Sequence, residues 1–225
     1  MLAGRNFRIP FRVASILFIV CIPLFLLTSN IRWVANDLQF WEEGFEKYDV
    51  SAETGFSDEE LIDISKGLIR YFNSGDIDDT MYIFSDDEII HLRDVRGLIQ
   101  LSYTIQWITL GYIIIFVAAG YTYKRRQMFS SLGKLVLTGS VAGLAALAAT
   151  GIAAMIDFDW LFILFHRIFF TNDLWISSGY LPRIYTEGFF YDAAGAIAIA
   201  MVLQSLLIGA IAGGFLLRRR RRLAN

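Results

Sequence analysis

The sequence predicts an all-α membrane protein: four transmembrane helices, an extracytoplasmic and mostly helical cap, and an interfacial helix between the third and fourth spans. Three observations carry that prediction. Four apolar runs, at 13–31, 98–121, 135–156 and 193–217, are each about the length a helix needs to cross a hydrocarbon layer ~30 Å thick. All 22 acidic residues lie between Asp37 and Asp192, leaving 1–36, 95–156 and 193–225 without one. Those acid-free stretches hold the basic clusters. Arg5, Arg8 and Arg12 precede the first run, Lys124, Arg125, Arg126 and Lys134 separate the second from the third, and Arg218 to Arg222 close the fourth.

Short Lys/Arg-rich segments stay in the cytoplasm, which puts both termini and the loop at 124–134 on the inner side. The chain then divides into an N-terminus and first span (1–32), an outer acidic cap (33–97), the second and third spans with their cytoplasmic loop (98–156), an outer interfacial segment (157–192), and the fourth span with a basic tail (193–225). The first run follows a basic segment but is long and lacks a small-x-small exit, so it reads as an uncleaved signal anchor. Cys21 follows Val20 rather than a small residue, a poor match to a lipidated cysteine. As the one cysteine it cannot form an intramolecular disulfide, and it reads as a small buried apolar residue.

Trp33, Phe40, Trp41 and Phe45 fall where a helix leaves the bilayer, the position of interfacial aromatics. Ser57 with Glu60 three residues on is a capping box, and Leu61, Ile64, Leu68 and Ile69 supply the apolar face of the helix it starts. Residues 71–76 break that helix. Ser85 opens another, which runs through His91 into the second span. From Trp33 to Ile99 there are 17 acidic residues against five basic ones, a net of −12. A segment this small should rest on the membrane domain rather than fold alone. The third and fourth spans are rich in small residues (Gly139, Gly143, Gly151 and Gly195 among them), which let helices approach closely in lipid. No acidic residue lies deep in a span, which weakens ion-coupled transport as a function.

Only two histidines occur, His91 and His166, and the topology places both on the outer side near the lipid boundary. His166 lies in the stretch 160–175, too short and interrupted to span, so an interfacial helix is expected there. Two imidazoles converging on one layer suit acid–base chemistry, which requires them within roughly 10 Å of each other around one cavity. Glu88 and His91 also form Glu-x-x-His, a di-metal ligand spacing, but no second copy exists and ligand counting argues against a metal. No phosphate-binding Gly-rich loop, Ser or Cys nucleophile motif, or zincin helix is present. Nothing outside the topology-setting arginine run suggests nucleic acid. A non-catalytic membrane protein whose acidic cap binds a partner or cations stays open as the alternative.

The chain resembles the Lit-type lipoprotein intramolecular transacylases. The resemblance rests on Phe84-Ser85-x-x-Glu88-x-x-His91-Leu92-x-Asp94-Val95-Arg96-x-Leu98-Ile99, on Phe165-His166-x-x-Phe169-Phe170-x-Asn172-Asp173-x-Trp175, and on Tyr71-Phe72 in the cap. The loop at 176–190 departs from the family pattern, which bears on substrate range. The resemblance implies a cell-membrane acyltransferase without a cofactor, its active site on the outer face and its partner a membrane-embedded diacylated lipoprotein. It moves the sn-2 acyl chain of the diacylglyceryl-cysteine to the α-amino group of the same cysteine. His91 and His166 would be catalytic. Tyr71, Phe84, Phe165, Phe169, Phe170, Asn172 and Trp175 would hold substrate, with Glu88, Asp94 and Arg96 in support. Asp87, Glu88 and Asp94 share a helix face with His91 and should favour its charged form, making it the proton donor. Phe165, Arg167, Phe169 and Phe170 around His166 should keep it neutral, as a base.

Overall fold

The computed structural model of the chain describes residues 8–124 and 126–224; Arg5 and Arg125 of the basic clusters lie outside the described residues. Every regular element among these residues is helical: α1 (Arg8–Asn36), α2 (Leu38–Lys47), α3 (Val50–Thr54), α4 (Asp58–Ser74), a 3-10 turn (Asp79–Ile83), α5 (Asp86–Lys124), α6 (Arg126–Ile156), α7 (Phe158–Phe169), α8 (Leu181–Ile184) and α9 (Glu187–Ala224). Four helices are long and apolar enough to cross a membrane, over Phe11–Asn36, Asp86–Thr122, Met128–Ile156 and Glu187–Arg221. The protein is a multi-pass membrane protein.

At 1.5 Å per residue α5 runs ~58 Å, roughly twice what the hydrocarbon layer requires. Its six charged residues before Lys124 all fall between Asp86 and Arg96. The segment suited to lipid is therefore 98–121, and His91 precedes it by nearly two turns. By the same reasoning α9 enters lipid only after Asp192. At twelve residues α7 is too short to span.

One unit comprises 1–30, 104–151 and 198–225. Gly139 and Gly143 lie against Ile22 and Pro23 of α1, where a Cβ at either would crowd its neighbour. Asn30 and Gln204 exchange two amide hydrogen bonds (2.8 and 3.1 Å), and Gln106 donates to Ser29 at 3.0 Å. Such pairs join helices where no water competes. Ile114, Ile115, Leu206 and Leu207 remain exposed, the surface that lipid would cover. Not every small residue serves packing, since a Cβ at Gly151 would meet nothing. Cys21 is half-buried rather than enclosed.

The other unit comprises 31–103 and 152–197. Its core gathers Trp41, Phe45, Leu61, Leu68, Tyr71, Phe72, Phe84, Tyr185 and Phe189. Burying each large apolar side chain contributes ~1.5–3 kcal/mol relative to leaving it in water. The helix at 58–74 starts as expected: Ser57 accepts from Glu60 N–H and Glu60 accepts from Ser57 N–H, a complete capping box. It ends on Gly75, whose φ of +88° is the left-handed value that glycine adopts without strain. The aromatics after the first span depart from expectation. Trp41 and Phe45 are core residues of α2, Trp41 with its indole N–H bonded to Val34 O at 2.9 Å. Of the four aromatics read as an interfacial belt, Trp33 alone is exposed. A ten-residue amphipathic helix buries both aromatics on one face, and burial outweighs their interfacial preference.

Candidate active site

The turn that carries His91 is built from its N-terminus. Ser85 Oγ accepts from Glu88 N–H at 3.3 Å, and Glu88 Oε2 accepts from Ser85 N–H at 2.9 Å, so the Ser-x-x-Glu spacing closes a second capping box. His91 follows one turn later, only 6% exposed, with its Nδ1 buried and without a hydrogen-bond partner.

His166 sits at the opposite kind of helix end. Asp157 caps α7 by accepting from Trp160 N–H at 2.9 Å, and His166 lies in the last turn. Its Nδ1 is 2.8 Å from the carbonyl oxygen of Phe162, one turn earlier. A carbonyl can only accept, so Nδ1 carries the proton and Nε2 holds the lone pair when the ring is neutral.

The two imidazole centroids are 6.0 Å apart. Phe170 lies against both, at 4.9 Å from His91 and 5.4 Å from His166. Trp175 stacks on His166 at 4.6 Å with a 29° tilt, and Phe162 packs on it at 4.3 Å. Phe165 touches His166 edge-on at 5.5 Å, and Phe169 stacks behind Phe165 at 4.8 Å; both phenylalanines stay largely exposed.

Supporting contacts join the same elements. Asn172 donates to Asp94 at 2.9 Å, tying the strand of chain after α7 to the turn of α5 that follows His91. Arg96 Nε donates to the carbonyl of Tyr71 at 2.9 Å, holding the C-terminus of α4. Glu88 is 1% exposed and accepts from four groups, including Ser177 Oγ (3.0 Å) and Leu181 N–H (2.8 Å). Tyr71 and Phe84 go elsewhere, into the apolar core of this unit rather than to the imidazoles. Sequence reasoning missed Phe162, although its position four residues before His166 on a helix is a usable signal. It also missed Ser177, Gly179 and Leu181, for which no local signal existed.

The electrostatics reverse one expectation. His91 is not held charged by its helix neighbours: burial pushes its pKa down to about 4, the proximity of His166 pushes the same way, and only Asp94 opposes. Glu88 turns its oxygens to Ser85 and the loop, and Asp87 faces solvent. The pKa of His166 is also lowered, by burial, with the Phe162 carbonyl opposing. Burial therefore favours the uncharged form of both rings. No group of three potential metal ligands forms among the described residues.

Comparisons with known proteins follow this geometry. A family model described as "Lipoprotein intramolecular transacylase Lit" matches residues 16–190. No curated protein matches the chain. The solved structure of the membrane-integral lipoprotein intramolecular transacylase Lit from Bacillus cereus is similar with a TM-score of 0.82 at 19% identity, covering 94% of this chain and 98% of that one. A histidine-to-arginine variant of the Bacillus cereus protein is similar at 0.79 and 18% identity, covering 98% and 99%. A histidine-to-alanine variant is similar at 0.80 and 18%, covering 97% and 99%.

Proposed function

This chain belongs to the Lit family of lipoprotein intramolecular transacylases, and from that premise we propose that it transfers the sn-2 acyl chain of a diacylglyceryl-cysteine to the α-amino group of the same cysteine, using His166 as base and His91 as proton donor. The observation that carries this reading is two imidazoles 6.0 Å apart, one with its tautomer set by a backbone carbonyl.

The steps follow from the residues. An α-amino group has a pKa of ~8 and is largely protonated at neutral pH, so it needs a base before it can attack. His166 Nε2 takes the ammonium proton. The amine nitrogen then attacks the sn-2 ester carbonyl, forming a C–N bond and an oxyanion. A proton on the buried Nδ1 of His91 would be a donor without an acceptor, so the neutral ring is favoured with its proton on Nε2. That N–H stabilises the oxyanion and protonates the departing glyceryl oxygen as the ester C–O bond breaks. The amide nitrogen passes its second proton to His91, replacing the one given to the glyceryl oxygen, and His166 releases the ammonium proton to solvent. Ammonium and ester become amide, alcohol and one released proton, and both rings return to their starting forms.

Nucleophile and ester belong to one molecule, so holding it folded supplies much of the acceleration. Phe170, Phe165, Phe169 and Trp175 form the apolar surface for that, with Asn172, Asp94 and Arg96 holding the elements in place. Tyr71 and Phe84 support the reaction by packing the unit from which the His91 turn emerges. The basic clusters support a topology with both termini cytoplasmic and the site on the outer face. They also support the outer placement of 33–97 and 157–192. The alternative of an acidic binding cap gives no reason for two imidazoles to meet.

The reading is tested by incubating the purified protein in bicelles with a diacylated lipoprotein and analysing the N-terminal peptide by mass spectrometry. A shift of one acyl chain from glycerol to nitrogen at constant mass is expected; unchanged connectivity with folded protein would refute it.

A further inference from the structure

We propose that Glu88 is a positioning residue for both histidines at once, a clamp that fixes the His91 turn with one oxygen and the Trp175 loop with the other. The inference rests on the acyl-transfer reading above for its kinetic tests and on geometry for its basis. Oε2 accepts from Ser85 N–H (2.9 Å) and Ser85 Oγ (3.1 Å), and so sets the first turn of α5, whose next turn presents His91. Oε1 accepts from Ser177 Oγ (3.0 Å) and Leu181 N–H (2.8 Å) in the loop that follows Trp175. Ser177 Oγ in turn accepts from Gly179 N–H at 2.9 Å, which folds the loop over the carboxylate.

Three features show that this carboxylate is built in rather than incidental. It is 1% exposed, and a buried carboxylate persists only when its oxygens are matched by donors. All four partners are donors, and the start of α5 adds a favourable dipole. A Cβ at Gly179 would land on the carboxylate itself, so the loop passes where only glycine fits. Trp175, two residues before Ser177, is the ring stacked on His166. Moving the loop therefore uncovers His166, and moving the turn displaces His91.

The loop's Ser177, Gly179 and Leu181 are matched to Glu88, so loop and carboxylate form one unit.

The test uses the full chain in micelles or bicelles, comparing wild type with Glu88→Gln, Gly179→Ala, Ser177→Ala and the Glu88→Gln/Gly179→Ala double variant. Rate against pH is read on a diacylated lipoprotein, and His166 titration by NMR with labelled histidine. An amide in place of Glu88 faces four donors with one acceptor, so kcat should fall about ten-fold with KM little changed, since one buried hydrogen bond left unmade costs about that much. Gly179→Ala should match it, and the double variant should lose no more than either alone, because both release the same clamp. Ser177→Ala, which removes one donor and leaves the fold intact, should lose about three-fold, as expected for a weaker neutral hydrogen bond.

The diagnostic is His166. Releasing the loop admits water, and its pKa should rise towards the ordinary ~6.5, carrying the acid limb of the rate profile with it. The titratable group packed nearest to it is His91 on α5, 6.0 Å away between ring centroids and itself influenced by Asp94, with Arg167 its neighbour in sequence, and the variants keep all three. A rate loss with an unmoved limb and an unmoved His166 titration would overturn the clamp, as would wild-type behaviour of Glu88→Gln. Absence of conversion by wild type would count against the proposed reaction instead, and the His166 titration still decides the clamp.

Discussion

His91 and His166 are the same side chain at opposite ends of helices, and their surroundings differ in the partner each gives to Nδ1. His91 lies one turn after a capped N-terminus, with its Nδ1 buried and without a partner. His166 lies in a final turn, with Nδ1–H bonded to Phe162 O. In the proposed reaction His91 offers its Nε2–H and His166 its Nε2 lone pair, the difference between them being a carbonyl partner for Nδ1 at one position and none at the other. Of the carboxylates beside His91 in sequence, Glu88 turns its oxygens to Ser85 and the loop and Asp87 is exposed, while Asp94 only partly offsets the effect of burial.

Removing either ring breaks the comparison outright. His91→Ala and His166→Ala should each reduce conversion by ~10²–10⁴, the usual worth of a positioned acid or base. The measurement is initial rate on a diacylated lipoprotein, normalised to folded protein. Glutamine sharpens the comparison by separating the roles. An amide N–H can replace the hydrogen bond to the oxyanion at 91, though not the proton transfer, whereas no amide can act as base at 166. His91→Gln should therefore retain ten-fold or more activity over His91→Ala, whereas His166→Gln should be no better than His166→Ala. Equal outcomes at the two positions would erase the distinction.

The pH response comes next. The pKa of each ring is lowered in the folded protein, His91 to about 4 and His166 below its ordinary value, so protonation sites are more basic in the unfolded chain. Stability should be full above ~6.5 and decline as pH falls from there towards the folded values, because the unfolded state then binds more protons. Thermal unfolding of wild type against His91→Gln between pH 7 and 4 checks this, the variant showing a shallower decline. A smaller effect is expected from Asn172→Ala. It leaves Asp94 without its 2.9 Å partner and should slow conversion several-fold, in line with one exposed-side hydrogen bond worth ~0.5–1.5 kcal/mol.

Local chemistry made much of this legible in advance. The capping boxes at Ser57 and Ser85 are set by residues three apart, and both formed. Apolar length and the placement of charge located four membrane helices, and the scarcity of histidine pointed to the two rings that meet. The rest depends on contacts that no local pattern encodes. Tyr71 and Phe84 were read as substrate contacts, yet each lies in the core of its unit, where burial is more favourable than exposure to a ligand. Trp41 and Phe45 carried an interfacial composition but fell on the inner face of α2. Glu88 looked like an electrostatic neighbour of His91 because i and i+3 share a helix face. Its rotamer instead follows donors in a loop some ninety residues away.

The most direct test of the division of roles is the protonation state of each imidazole nitrogen, read from 15N shifts of selectively labelled histidine in the folded protein near neutral pH, with assignments from the two His→Gln variants. The account predicts a protonated Nδ1 and a bare Nε2 for His166, and the reverse for His91. The same tautomer at both positions, or a charged ring at either, would contradict it.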